Sequence, residues 1–324
     1  MDTASAPASS GTVPASPSPS PSPSPPPFPC PSPAPGSASE SGGARLAGVL
    51  TMVGCGVSNQ VGAALGSLAF PVLGPAGVVA IRQYVAAIVL VAVGRPQLRS
   101  FTARQWWPVV LLALVFGTMN LSLYTAIDRI GLGLAVTLEF LGPLAIALAG
   151  SRRKVDACCA LIAALGVVTL MRPQPSADYL GMGLGLLAAA CWASYILLNR
   201  TVGRRIPGAQ GSAAAAGLSA LAFLPVGIGV MVVARQPPTA GAVGYAVAAG
   251  ILASAVPYLA DVFTLRRVPA QVFGLFMSVN PVLAALAGWI MLGQDLGWVE
   301  WAAIGAVVAA NALSMLVPVR PSTG

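Results

Sequence analysis

The chain has 324 residues, of which 56% are hydrophobic and only 8% are charged, against about 25% charged in an ordinary soluble domain. The formal net charge is +8, but the basic residues lie in short clusters between apolar blocks and form no single basic face, which argues against nucleic-acid binding. Histidine is absent and the five cysteines form no C-x-x-C pair, so we expect no enzymatic activity, no metal site and no cofactor.

The first 44 residues consist almost wholly of Pro, Ser, Ala and Gly. Such a composition cannot bury enough apolar surface to offset its ordering entropy, and it predicts a disordered tail for residues 1–44. The segment also lacks the basic start and the apolar core of a signal peptide.

From Arg45 onward the sequence is a succession of apolar blocks, each close to the roughly 20 residues that a helix needs to cross about 30 Å of hydrocarbon. This pattern predicts an all-α membrane protein with ten transmembrane helices joined by short loops. The predicted helices are 45–65, 74–94, 107–126, 131–150, 155–172, 179–199, 211–234, 241–263, 270–292 and 298–318.

The basic residues of the loops are distributed unequally between the two sides of these helices. Thirteen lie on one side and three on the other. Because cytoplasmic loops carry the excess of Lys and Arg, this distribution predicts that both termini are cytoplasmic.

Two stretches of the chain match at a constant offset. RIGLGLAVTLEFLGPLAIALAG begins at Arg129 and RVPAQVFGLFMSVNPVLAALAG begins at Arg267, and both keep a proline, Pro143 or Pro281, and a final Ala-Gly. Five helices in each half would give the halves opposite orientations, and such inverted repeats are typical of secondary transporters. The predicted repeats are 45–172 and 179–318.

Two charged residues fall near the centres of predicted helices: Glu139 in the fourth and Arg82 in the second, each the ninth residue of its helix. A charge at this depth costs about 2.5–3.5 kcal/mol on insertion scales and usually faces the bundle interior or a water-filled path. The two side chains are predicted to lie at similar depth, where they could pair. Glu139 is then either half of a structural salt bridge or a carboxyl group that exchanges a proton for substrate.

Proline at two positions predicts local helix breaks. Pro143 has no N–H with which to bond the carbonyl of Glu139, four residues earlier, and Pro281 has the same relation to Met277. Unpaired backbone groups of this kind are tolerated in a membrane where they line protein or water.

A third charged candidate, Asp261, lies toward the cytoplasmic end of the eighth predicted helix, where it is either functional or a solvated partner of Arg266 and Arg267. Several uncharged polar or amphipathic side chains could orient a small ligand, with helix–helix hydrogen bonding as the alternative role. These pocket candidates are Asn59, Asn120, Tyr124, Trp192, Tyr195, Ser278 and Asn280.

Three segments carry a family resemblance: YTAIDRIGLGLAVTLEFLGPLAIALAGSRR (124–153), CWASYIL (191–197) and VPYLADVFTLRRVPAQVFGLFMSVNPVLAALAG (256–288). They resemble the drug/metabolite transporter superfamily with its EamA repeats, and the first is similar to the bacterial inner-membrane threonine and homoserine exporters. The resemblance implies export of a small amino acid or related metabolite by proton antiport with alternating access. It departs from the family at Asn280, where these exporters commonly have glutamate, whereas Glu139 matches.

Two other functions fit the same residues. One is export of cationic drugs, which requires only one acid at mid-membrane and aromatic side chains in the pocket. The other is a non-transporting membrane sensor whose Pro/Ser tail recruits partners, and deletion of residues 1–44 would distinguish it from an exporter.

Overall fold

The computed structural model describes residues 42–149, 162, 165, 178–233, 238–257 and 270–316, and every regular element in this part of the chain is helical. The prediction of an all-α fold is therefore confirmed. Most of the predicted tail, 1–44, and of the predicted fifth helix, 155–172, lies outside the described residues.

The described helices follow the predicted order with somewhat different ends. They are α1 (Gly42–Leu68), α2 (Phe70–Gly94), α3 (Ala103–Ile130), α4 (Leu132–Glu139), α5 (Leu141–Ala149), α6 (Tyr179–Arg205), α7 (Gln210–Ala222), α8 (Leu224–Val233), α9 (Ala240–Gly250) with a π-helical segment (Ile251–Ala255), α10 (Ala270–Leu292) and α11 (Trp298–Leu316).

Four of the described helical stretches are long and apolar enough to cross a membrane: Phe70–Gly94, Ala103–Ile130, Tyr179–Arg205 and Gln210–Val230. Four more apolar helical stretches are shorter: Leu132–Ile146, which spans α4 and part of α5, Ala240–Ala255, Val279–Leu292 and Trp298–Ala310. A multi-pass membrane protein is thus supported, while the count of ten helices stays a prediction.

Three of the predicted helices are interrupted a few residues before a proline. The fourth divides at Phe140 before Pro143, and the seventh divides at Phe223 before Pro225. In both cases the proline falls in the first turn of the new helix, where its missing N–H has no partner to lose. The eighth changes from α to π geometry before Pro257.

The expected break at Pro281 is absent from the described backbone. The helix α10 runs from Ala270 to Leu292 with Pro281 inside it. Proline removes one hydrogen bond of the helix, and the bonds on either side keep α10 continuous.

The helices pack against one another mainly in pairs. The helix α3 packs along α6, and α2 packs on α7, while α1 contacts α9, the π-helical segment and α10. The helix α4 contacts both α6 and α10. A buried apolar cluster that includes Phe70, Val78 and Tyr124 also draws residues from α6, α9 and α10, and it joins these packed helices.

The described bundle has two chemically different ends. At the first, which we call the arginine end, α2 ends and α3 begins next to the junction of α6 and α7. Two hydrogen bonds join these segments: the N–H of Gln97 donates to Gln210 Oε1 at 3.3 Å, and Gln105 Nε2 donates to the Arg205 carbonyl at 2.8 Å. Six exposed arginines belong to this end: Arg95, Arg99, Arg104, Arg200, Arg204 and Arg205.

The opposite end, which we call the Gln294 end, is where α3 turns into α4 and α10 into α11. Gly131 adopts a left-handed φ of 83° at the turn, and the N–H of Leu132 donates to Gln294 Oε1 at 2.9 Å. Apart from Glu139, the described acidic residues lie at this end: Asp128, Asp178, Asp295 and Glu300.

An ion pair and a helix cap coincide at the Gln294 end. Arg129 Nε lies 2.9 Å from Asp178 Oδ2, and Asp178 Oδ1 accepts a hydrogen bond from the N–H of Gly181 at 2.8 Å. The Gly181 N–H, followed by Arg129, holds the pKa of the Asp178 carboxyl below its usual value. This residue ties the end of α3 to the beginning of α6.

Candidate functional site

A cavity of about 260 Å³ lies among the helices, slightly below the roughly 300–1,000 Å³ of sites for drug-sized ligands. Its size therefore suits a small solute. The lining comes from α1, α2, α3, α4, α6, α7 and the residues from Ala253 to Pro257. The polar and aromatic lining residues are Asn59, Gln60, Arg82, Phe116, Asn120, Tyr124, Glu139, Phe140, Trp192, Tyr195, Ser212 and Ser254.

Glu139 is the last residue of α4 and lines this cavity. Its side chain is only 7% exposed. The helix stops here because the chain turns at Phe140 and restarts at Leu141 with Pro143 in the new first turn. Phe140 is held in place by the Trp192 ring, whose centroid lies 4.6 Å away in an edge-to-face arrangement.

Arg82 of α2 reaches the same cavity and is held by three contacts. Its Nε donates to Ser254 Oγ at 2.9 Å, and its Nη2 donates to the carbonyl oxygen of Ala253 at 3.0 Å. The guanidinium also lies over the Tyr124 ring, with Cζ 5.0 Å from the ring centroid. In the described part of the chain, the two hydrogen bonds use two of the five N–H donors of the guanidinium.

The Ala253 carbonyl is available to Arg82 because of the local backbone. Pro257 lies four residues later and has no N–H to donate to that carbonyl. The surrounding segment Ile251–Ala255 is π-helical, a geometry that occurs mostly as single turns and frequently at functional sites. Ser58 Oγ of α1 donates to the carbonyl of Leu252 in the same segment at 2.9 Å.

The sequence left open whether Arg82 pairs with Glu139, and the structure shows no direct bridge between the two side chains. Among the described residues the ion pair is Arg129 with Asp178, and Arg82 and Glu139 do not approach within salt-bridge distance. They interact by charge across the cavity that both line. Arg82 bonds to the π-helical segment instead, since that segment offers two oxygens where the helix hydrogen bonding is interrupted. This geometry does not support a direct Arg82–Glu139 bridge that locks the bundle.

The other pocket candidates divide into two groups. Asn59, Asn120, Tyr124, Trp192 and Tyr195 all line the cavity. Asn120 Nδ2 donates to the Phe116 carbonyl of its own helix at 2.8 Å, and the Tyr195 hydroxyl accepts from Asn199 Nδ2 at 3.2 Å. These bonds orient two of the side chains that line the cavity.

Asn280 is buried in α10, and its Oδ1 accepts from Gln60 Nε2 at a long 3.4 Å, so it supports a lining residue without lining the cavity itself. The Ser278 side chain and Asp261 lie outside the described residues. Ser254 was missed by the sequence analysis. Its position three residues before Pro257 is the signal that could have identified it.

An all-helical membrane protein with a small cavity between its helices, lined by one acid and one arginine, has the architecture of a solute transporter. Comparison with known proteins supports this class. The model of the EamA-like transporter family matches residues 179–316. The threonine/homoserine exporter RhtA of Escherichia coli is 37% identical over 262 residues, covering 80% of this chain and 88% of that protein. The protein of the same name from Salmonella typhimurium is also 37% identical over the same length.

The chain therefore belongs to the EamA-like transporter family, within the drug/metabolite transporter superfamily, and it is a small-molecule exporter and not an enzyme. Family membership indicates a multi-pass protein of a bacterial inner membrane. A solved crystal structure, 20% identical, covers 84% of this chain and 97% of its own with a TM-score of 0.56, and it supports the fold alone.

Proposed function

We propose that the protein exports a small amino acid such as threonine or homoserine in exchange for protons, by alternating access. The observation that carries this proposal is the placement of Arg82 and Glu139, with opposite charges, on one small cavity. An amino acid is a zwitterion with a carboxylate and an ammonium group, so the two side chains complement its two charges. The name of the relatives, threonine/homoserine exporter, supplies the substrate class.

In this mechanism Arg82 binds the substrate carboxylate. Its guanidinium is already fixed by Ser254 and the Ala253 carbonyl, so little conformational entropy is lost when a carboxylate binds. The remaining N–H donors can form charge-assisted hydrogen bonds with the two carboxylate oxygens.

Glu139 binds either the substrate ammonium or a proton, and never both. Because a protonated carboxyl group carries no charge, it releases the ammonium, and because a bound ammonium requires the carboxylate, it excludes the proton. This exclusion couples substrate export to proton entry. Burial of Glu139 at the end of α4 keeps bulk water away from the exchange.

We further propose ten helices arranged as two inverted repeats of five, with the arginine end and both termini cytoplasmic. The helix contacts support the repeat. When each helix is replaced by its equivalent in the other half, the contact of α3 with α6 becomes that of α9 with α1, and the contact of α4 with α6 becomes that of α10 with α1. The pairs α2 with α7 and α4 with α10 correspond to themselves. The six exposed arginines at one end support the orientation.

The decisive experiment measures efflux of radiolabelled amino acids from proteoliposomes with and without a proton gradient. Threonine and homoserine should be exported by the unmodified protein, and Glu139→Gln should abolish the response to the gradient at an unchanged protein level. Undiminished proton-driven export by that variant would contradict the mechanism. Cationic dyes serve as the alternative substrate, and we expect no export of them because Arg82 repels a cation in the cavity.

A further inference from the structure

The arginine end carries a concentration of positive charge that no described acidic residue pairs with. Its six arginines are exposed, and the acidic side chains of the described residues lie either at the Gln294 end or at Glu139 in the bundle interior. In the part of the chain that the structure describes, no acidic side chain lies at the arginine end to pair with these six arginines.

One of these arginines is held in a fixed position. Arg205 Nη1 donates to the carbonyl of Arg104 at 2.7 Å, and its guanidinium lies over the Trp107 ring, 5.1 Å from the centroid. Gln105 reinforces the junction by donating from Nε2 to the Arg205 carbonyl. A guanidinium fixed in this way keeps donors free and presents them in one direction, as anion binding requires.

An apolar stripe continues from this arginine into the membrane region. The stripe lies on α3, where four exposed side chains follow one another at helical spacing: Trp107, Val110, Leu111 and Leu114. Tryptophan at this position is typical of the boundary between lipid head groups and hydrocarbon. The fixed guanidinium thus lies at head-group level, directly above a surface suited to acyl chains.

We propose that the surface formed by Arg104, Arg205, Trp107 and the stripe Val110–Leu114 binds an anionic phospholipid. The Arg205 guanidinium donates hydrogen bonds to the lipid phosphate and Arg104 adds a second charge. The acyl chains lie along the stripe. A zwitterionic lipid also has a phosphate, but its own ammonium group competes with the arginines, so anionic lipids bind preferentially. This site is separate from the cavity and does not depend on the transported substrate.

The test uses the full-length protein purified in a neutral detergent. Phosphatidylglycerol or phosphatidylcholine is added, the thermal midpoint is followed by tryptophan fluorescence, and bound lipid is counted by native mass spectrometry. We expect phosphatidylglycerol to raise the midpoint and remain bound, and phosphatidylcholine to do neither. Inorganic phosphate, added as a separate arm, should have no effect, because it lacks the acyl chains.

Arg205→Gln should weaken phosphatidylglycerol binding about fivefold. Arg99→Gln is the matched control, since it removes the same charge from the same end, at the exposed turn Leu98–Ser100. Should Arg205→Gln fail to fold, Trp107→Leu removes the stacking surface but keeps the arginine, and we expect the same direction of change. Equal loss in the Arg205 and Arg99 variants, equal binding of the two lipids, or binding of phosphate alone would overturn the proposal.

Discussion

Arg82 Nη2 lies 3.0 Å from the backbone carbonyl oxygen of Ala253. The two residues are 171 positions apart in the chain, and they belong to different predicted repeats. The side chain proposed to bind the substrate is thus held by the backbone of the other half. A movement of one half relative to the other would change this bond, and this connects substrate binding with the proposed alternation of access.

The first prediction concerns the residue that makes the carbonyl available. Pro257→Ala restores an N–H that can bond to the Ala253 carbonyl and compete with Arg82. A hydrogen bond to a charged group is worth about 1.5–3 kcal/mol, and partial loss should raise KM for export about fivefold, with a smaller change in kcat. The measurement is the concentration dependence of efflux in proteoliposomes.

Pro225→Ala is the matched control for that variant. It makes the same chemical change at the break between α7 and α8, where the residue is exposed and away from the cavity lining. Its KM should be unchanged. An equal rise of KM in both variants would show that Pro257 acts through general helix geometry and not through Arg82.

The second prediction tests the close approach of α1 to the π-helical segment. A Cβ atom added at Gly62 would come within 2.7 Å of the Ala253 backbone nitrogen and 2.9 Å of its Cβ. Gly62→Ala should therefore displace the segment that holds Arg82, lower the free energy of unfolding by about 1–3 kcal/mol and impair export. Thermal unfolding and efflux measure the two effects.

Gly54→Ala provides the comparison on the same helix, because nothing lies within 4 Å of its added Cβ. We expect its export rate to match that of the unmodified protein, and its thermal midpoint to be equal or slightly higher because alanine favours a helix over glycine. If Gly62→Ala behaves like Gly54→Ala, the contact between α1 and the segment is looser than described.

The third prediction is a pH dependence at the Gln294 end. The Gly181 N–H and Arg129 favour the charged form of Asp178, so its pKa is lower in the folded protein than in the unfolded chain. Its stabilising contribution is thus fully present above the unfolded value of about 3.9 and is lost as the pH falls through the lower folded value. The thermal midpoint of the unmodified protein should exceed that of Asp178→Asn at pH 5–8, and the difference between the two midpoints should vanish in acid.

Asparagine keeps the cap on Gly181, since it is also a preferred capping residue, so this comparison isolates the charge. Asp295→Asn removes a charge from the same end, where the structure gives Asp295 no ion pair within the described residues. A difference that is constant with pH, or an equal difference for Asp295→Asn, would argue against the ion pair.

The fourth prediction concerns Gln294. Its Oε1 accepts from the N–H of Leu132, a residue with no exposed surface, so Gln294→Leu leaves a buried donor without its partner. This should lower the free energy of unfolding by about 1–3 kcal/mol, measured by thermal denaturation. Gln294→Glu keeps an acceptor oxygen at the same distance from the backbone and should lower the free energy of unfolding by less. A larger loss in Gln294→Glu than in Gln294→Leu would contradict the hydrogen bond.

The class of fold is predictable from the sequence because the signals for it are local. Apolar blocks of helical length specify membrane helices, and a charge within such a block indicates an interior position. On this basis Arg82 and Glu139 were predicted at similar depth, and the structure places both on one cavity. Their roles in coupling stay a prediction.

The partners of these residues could not be predicted, because they depend on contacts between distant segments. Similar depth allowed a pairing of Arg82 with Glu139 without deciding it, and the guanidinium bonds to Ser254 and Ala253. Which partners Arg82 bonds to depends on the π geometry before Pro257 and on which helix faces α2. Likewise, the cap that Asp178 provides for α6 was not predicted, although an aspartate directly before an apolar block is a recognised capping signal.

The charges of the cavity also decide how the protein responds to membrane voltage. Among the described lining residues the charged ones are Arg82 and Glu139, so the cavity is electrically neutral when both are ionised, and it stays neutral with a zwitterionic amino acid bound. Once Glu139 takes up a proton the cavity carries the single positive charge of Arg82. Moving one charge through 100 mV is worth about 2.3 kcal/mol. In the proposed exchange, a negative membrane interior therefore drives the inward return of the protonated cavity and leaves the outward step with amino acid unaffected.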